Sequence, residues 1–254
     1  MTKLDLKSLR AFLELQYQIF NQENAISEEY LDPLLVAREF KDEKVALFCA
    51  LFAYGNVRAM LNFLRSCHLK CLIESKSVQD VCKLCTNKPY RFQSNVEIQA
   101  FFNALVQMQS LEQIFYAGYK QGGILAGIQS LQREIYRHLK QPLSKGLQFL
   151  VGAPIDIASP TSPLKRYNLF LRWVVRKDCL DLGLWESVKT QDLLLPLDTH
   201  TFRISKNLGL LKRKTYDFKA VLEVSAMLRK FDRNDPIKYD FALYRIGQLG
   251  LSCV

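Results

Sequence analysis

Residues 196–210 read Pro196-Leu197-Asp198-Thr199-His200-Thr201-Phe202-Arg203-Ile204-Ser205-Lys206-Asn207-Leu208-Gly209-Leu210. An aspartate placed between a proline-containing loop and a polar–apolar run is suited to cap a helix, because its carboxylate accepts from the first free amides. The spacing predicts a helix from Thr199 to Leu208. Gly209 is the residue type that ends helices, since it enters the left-handed region without a Cβ penalty.

The same grammar extends outward in both directions. Leu6, Leu9, Phe12 and Leu13 make one face of a first helix, and Asp32-Pro33 is a start signal for a second. Residues 45–64 are strongly apolar, interrupted at Tyr54-Gly55-Asn56. Helical runs follow at 96–108, 111–119, 124–139 and 145–151, with Gly122-Gly123 punctuating between two of them. A hinge, GAPIDIASPTSP, leads into LKRYNLFLRWVVRK, where Ser162 is placed to cap and Pro163 to open the helix. Asp235-Pro236 begins the last one. Alternating strand patterns are nearly absent. The expectation is an all-α protein of about ten helices, without repeats or low-complexity tracts.

With 254 residues, 49% of them apolar and 24% charged, the composition is that of an ordinary globular protein. No run approaches the ~20 apolar residues that a membrane span needs. Charges at Lys3, Asp5, Lys7 and Arg10 break any signal-peptide core, and the seven cysteines are an odd number. A reduced, cytoplasmic setting is therefore expected. The net charge of +10 favours a polyanionic partner, because basic groups gain affinity by releasing counterions from phosphates. Cys67-x3-Cys71 and Cys82-x2-Cys85 have spacings that resemble a zinc site, but a buried free cysteine packs equally well as a small hydrophobe, and no metal is expected. No phosphate-cradling glycine motif occurs, so no cofactor is expected either.

The stretch from Pro196 to Leu210 resembles the helix-hairpin-helix/GPD superfamily of DNA glycosylases, whose members carry P-[VL]-D-[TV]-H-x-x-R-[VI] ending in x-L-G-L. The resemblance implies a two-lobed helical fold with a helix-hairpin-helix-like element, and makes Asp198 the carboxylate needed for base excision. Breaking an N-glycosidic bond builds positive charge on the sugar, and a nearby ionised carboxylate stabilises it. The endonuclease III branch places its lysine after an LPGVG turn. That turn is missing here, position 180 is Leu, and the C-terminal cysteine quartet of that branch is missing too.

The archaeal 8-oxoguanine glycosylases are closer, with a lysine opening a K-[TR]-x-x-x-F helix. Lys165-Arg166-Tyr167-Asn168-Leu169-Phe170 is similar, and precedes Asp198 by 33 residues. The AYGN, PLKRYNLFLRWVVRKD and DPIKYDFALY blocks also look like an uncharacterised bacterial family related to that group. The resemblance thus puts the nucleophile on Lys165, whose amine would attack the sugar and form a Schiff base. Arg166 lies beside it. Arg172 and Arg176 share its helix face, which is also the pattern of a solvated, phosphate-facing stripe. Tyr54 and Asn56 stand where the superfamily carries a residue that fills the gap left by a flipped base; a plain helix terminus explains them as well. His200 is either a phosphate contact or a structural histidine. Trp173, Asp240 and Phe241 are candidates for the base pocket.

The expectation drawn from these residues is a monomeric enzyme that excises 8-oxoguanine from double-stranded DNA and cleaves the strand as an AP lyase. Its lobes would be residues 25–165, ending in the hairpin, and residues 1–24 with 166–254, the site lying at their junction. Alternatives are a monofunctional glycosylase of alkylated bases, and a non-catalytic DNA-binding module on the same scaffold.

Overall fold

The computed structural model describes residues 5–75, 88–139 and 143–249. Among the described residues every regular element is helical, and the β contacts are two isolated bridges, Tyr90 with Gln93 and Lys177 with Leu182. The all-α expectation is met. None of the described helices is long and apolar enough to cross a membrane. The chain divides into two compact units: a terminal unit, Met1–Ala25 with Ser159–Val254, and a central unit, Ile26–Ala158. Lys165, read from sequence as the end of the central lobe, falls in the terminal unit together with Asp198.

Helix α1 (Leu6–Phe20) belongs to the terminal unit. The central unit holds α2 (Leu34–Phe40), α3 (Glu43–Leu51), α4 (Val57–Ser66), the single turn α5 (Cys71–Glu74), α6 (Asn95–Gln107), α7 (Leu111–Leu139) and α8 (Lys145–Val151). From Val45 to Leu51 every residue of α3 is fully buried, as expected for a helix that is apolar all round. Phe48 and Phe52 project from its end into a packed aromatic group, with ring centroids 4.7 Å apart and Phe101, Phe102 and Phe63 around them. Glu43, at the other end of α3, accepts from the amides of Leu111 (2.7 Å) and Glu112 (3.0 Å) and so caps α7 from 68 residues away. Helix α7 breaks at Gly122 and Gly123, the latter with φ +67°. The halves then pack closely: a Cβ on Gly127 would meet the Phe115 ring at 2.5 Å.

The terminal unit continues with α9 (Lys165–Val175), α10 (Thr199–Asn207), α11 (Phe218–Arg229) and α12 (Asp240–Leu249). Helix α12 packs against both α1 and α10. Asp5 caps α1 through the amides of Lys7 and Ser8, Leu9 and Leu13 are its buried face, and Tyr239 donates to Glu14 at 2.5 Å. The start of α12 differs from expectation. Residues 236–239 form turns and the helix begins at Asp240, because the Asp235 carboxylate is engaged by Arg176.

Candidate active site

Asp198 is the N-cap of α10, with φ −108° and ψ −179°, and its Oδ1 accepts from Thr201 N at 2.7 Å. Capping takes one carboxylate oxygen; Oδ2 has no hydrogen-bond partner among the described residues. Pro196 and Leu197, just before it, are buried, so the loop is anchored while the half-buried carboxylate is presented. Tyr216 secures the same loop by donating to Leu197 O at 2.8 Å. Its phenol is pushed up to about 12, first by burial and then by the negative charge of Asp198. His200 is exposed on the first turn of α10.

Lys165 is the first residue of α9 and is half-buried, as is Arg166 after it. The residue before it, Leu164, is in the left-handed region at φ +53° and ψ +31°, a conformation costing an L-residue about 1–2 kcal/mol. Ser162 does not cap the helix as its position suggested; its hydroxyl accepts from Leu164 N at 3.4 Å within the turn. Asn168 ties the turn down instead, donating to Pro163 O at 3.2 Å. The Asn168 Oδ1, in a side chain only 1% exposed, has no partner. An orphan acceptor one turn from Lys165 is the kind of group that a water or ligand satisfies.

Arg172 corrects the sequence reading. Its guanidinium is not on the surface facing phosphate; the residue is 4% exposed and paired with Asp240 at 2.7 Å and Asp181 at 3.2 Å. Arg176 is equally buried, paired with Asp178 and Asp235, both at 2.9 Å, and with Asp181. An isolated guanidinium this deep would be prohibitively desolvated, so carboxylates distant in sequence balance it. Two arginines face four aspartates, and burial pushes the carboxyls of Asp181 and Asp240 upward. Asp240 reaches about 6. Burial is the main cause, Arg172 pulls the other way, Asp198 adds an upward push and Lys165 a downward pull. The charges of Lys165 and Asp198 thus converge on one buried carboxyl.

Trp173 does not line an open pocket: it is 1% exposed, in a helix whose residues are all buried from Tyr167 to Val175. Phe241 is 5% exposed, with the guanidinium carbons of Arg172 and Arg245 at 5.7 and 4.9 Å from its ring centroid.

In the central unit, Gly55 has φ +93° and Asn56 caps α4 by accepting from Ala59 N at 3.1 Å. That is the helix-terminus geometry. Tyr54 is half-buried and donates to Gln93. Cys67 is buried with its thiol at 3.4 Å from Phe63 O, Cys71 is half-buried, and Cys82 and Cys85 lie outside the described residues. Among the described residues no cluster of His, Cys, Asp or Glu suits a metal ion.

Sequence reasoning missed Tyr216, Asn168 and Asp181, and it read Asp240 as a base-pocket residue where the structure makes it the buried partner of Arg172. Their roles depend on partners that are remote in the chain or follow no motif. No curated protein and no solved structure is significantly similar to the chain. A family model does match, over residues 32–249, and so spans α2 to α12 with both Lys165 and Asp198; by that match the chain belongs to the family described as a protein of unknown function (DUF2400).

Proposed function

We propose that the protein is a DNA glycosylase and AP lyase of the two-lobed, helix-hairpin-helix type, acting as a monomer on duplex DNA, with 8-oxoguanine as substrate. The observation that carries this reading is the geometry of Asp198, which caps α10 through one oxygen and leaves the other unengaged, in the same unit as Lys165, which opens α9. In the reaction, the Lys165 amine attacks the sugar C1′ of a flipped nucleotide. The C1′–N bond breaks as the new C–N bond forms, and the base leaves with the electron pair and takes up a proton. Asp198, one oxygen fixed and the other unengaged, stabilises the positive charge that develops on the sugar. The nitrogen's electron pair then forms C=N as the C1′–O4′ bond breaks, and O4′ takes up the proton that the amine gave up. The resulting Schiff base permits β-elimination of the 3′ phosphate. The net charge of +10 favours the polyanionic substrate.

Incubation with duplexes that each bear one lesion, with and without borohydride, tests this reading. A covalent protein–DNA adduct is expected with 8-oxoguanine, and Lys165→Gln should abolish both adduct and strand cleavage while DNA binding survives. Asp198→Asn should slow excision by about 10²–10³ while keeping the cap. Base release without trapping would establish the monofunctional alternative. Binding without release would establish the non-catalytic one.

A further inference from the structure

The turn Tyr90-Arg91-Phe92-Gln93, in the central unit, is held from its ends. Tyr90 N donates to Gln93 O at 3.0 Å and Gln93 N to Tyr90 O at 2.9 Å. Both end residues are buried: the Tyr90 hydroxyl donates to Tyr54 O at 2.5 Å, and Gln93 Nε2 donates to Gly146 O at 2.8 Å. The two middle residues are pushed outward. Phe92 is 55% exposed, and Arg91 is exposed with φ +49°, a left-handed conformation that L-residues with a full side chain adopt only when the surroundings impose it.

The exposed ring is not loose. It stacks on Tyr54 at 6.3 Å and 12°, meets Phe149 edge-on at 4.8 Å, and carries the Arg91 guanidinium at 5.4 Å from its centroid. Gly55 leaves room for that arginine, since a Cβ there would come within 2.6 Å of Arg91 Nη1. Phe149, itself 43% exposed, extends the shelf along α8. Three cations are associated with these elements: Arg91 on the turn, Arg58 in the first turn of α4 and Lys145 one turn before Phe149. All three are exposed and make no ion pair among the described residues. Glu97, an acid on the neighbouring α6, is engaged elsewhere, accepting from Ser94 N at 2.7 Å and from the Ser144 hydroxyl.

A rigid aromatic face amid uncompensated positive charge selects among partners. A second copy meeting this face about a two-fold axis would bring the same cations against one another. An apolar protein surface would leave them desolvated. A nucleic-acid strand offers both complements, a flat base for the ring and phosphates for the cations. We propose that the Arg91–Phe92 turn is a stacking shelf for an unpaired base in DNA, with Arg58, Arg91 and Lys145 on the flanking phosphates. This shares with the glycosylase reading only its DNA partner, and uses neither Lys165 nor Asp198.

The experiment uses the full chain and oligonucleotides carrying 2-aminopurine, unpaired in a single strand or opposite a gap, and paired in an intact duplex as control. Stacking on Phe92 should quench the unpaired probe and leave the paired one unchanged. Phe92→Ala should abolish the quench and weaken binding to the unpaired probe about five- to 150-fold, with duplex affinity little altered. Phe92→Trp should restore both, and an unchanged helical spectrum shows that the exposed substitutions leave the fold intact. Arg91→Gly keeps the turn, because glycine accepts its φ, and should reduce the salt dependence by about one phosphate contact. A Phe92→Ala protein that binds and quenches like the parent overturns the proposal. So does parental self-association that the same substitution abolishes, which would assign the shelf to a second copy. Excision of a lesion that Phe92→Ala leaves untouched, together with parental quenching by that variant, would sink the shelf and spare the glycosylase. Quenching that depends on Phe92 without any excision would do the reverse.

Discussion

The two units differ in what they bury. In the central unit the interior is aromatic and aliphatic, and among the described residues its fully enclosed polar side chains are two glutamines, Gln93 and Gln132. In the terminal unit Arg172, Arg176, Asp181, Asp240 and Arg245 are all buried. Apolar burial stabilises a fold directly, whereas charges removed from water gain only what their partners return. A unit that could have been packed like its neighbour, yet holds five charged residues inside, is where chemistry is to be sought. The central unit carries its distinctive feature outside, on the strained turn at Arg91 and Phe92.

Breaking the buried network gives the largest expected effect. Arg172→Met leaves Asp240 and half of Asp181 without their cation, and should cost about 3–5 kcal/mol in denaturant unfolding. Phe101→Ala in the central unit should cost a similar ~3–5 kcal/mol by opening a cavity. The pH dependence separates them. Asp240 sits at about 6 against an ordinary 3.8, so its contribution is fully present below about pH 4 and is lost as pH rises through 6. Removing Arg172 takes away a downward pull and leaves the carboxyl neutral to higher pH. The Arg172→Met deficit should therefore be larger at pH 8 than at pH 5, while that of Phe101→Ala should be the same at both. Equal deficits for Arg172→Met would mean that the network is not the buried one seen here.

The same contrast explains what was legible in the sequence. Local signals were: Asp198 and Asn56 cap helices where their types suggest, and Gly122-Gly123 breaks α7. Such features depend on residues a few positions apart, so a single strand of text contains them. The helix face shared by Lys165, Arg172 and Arg176 fits a solvated stripe equally well in the sequence, whereas the acids that bury the two arginines reach as far as Asp240, 68 residues from Arg172. Nothing in a helical repeat distinguishes a charge facing water from one facing a remote carboxylate. Asp198 stood out by its motif; Tyr216, holding the loop before it, had none.

A smaller effect tests the central unit's surface. Gly55→Ala forces an L-residue to φ +93° and pushes on the Arg91 side chain. The conformational part should cost about 1–2 kcal/mol. The arginine is flexible at its tip and can swing away, so the stability loss should stay near that range while Arg91 leaves the Phe92 ring. Thermal unfolding reads the first effect, and loss of 2-aminopurine quenching reads the second. A stability loss far above this range would mean that the Gly55 contact supports the core and not only the turn.

The smallest expected effect tests whether Lys165 and Asp198 are neighbours at all. Both act on the buried Asp240 carboxyl with opposite signs, so each substitution should move its titration in a known direction. Asp198→Asn removes a negative charge and should lower the Asp240 pKa. Lys165→Gln removes a positive one and should raise it, and the double variant should fall between the two. Carbon-detected NMR of the labelled carboxyl follows the midpoint from its starting value of about 6. Because neither substitution touches the Arg172 pair, the fold is retained and no DNA or activity enters the measurement. If the midpoint stays fixed in both variants, the two side chains do not share a site, and the assignment of nucleophile and carboxylate to one centre fails whatever the enzyme assays show.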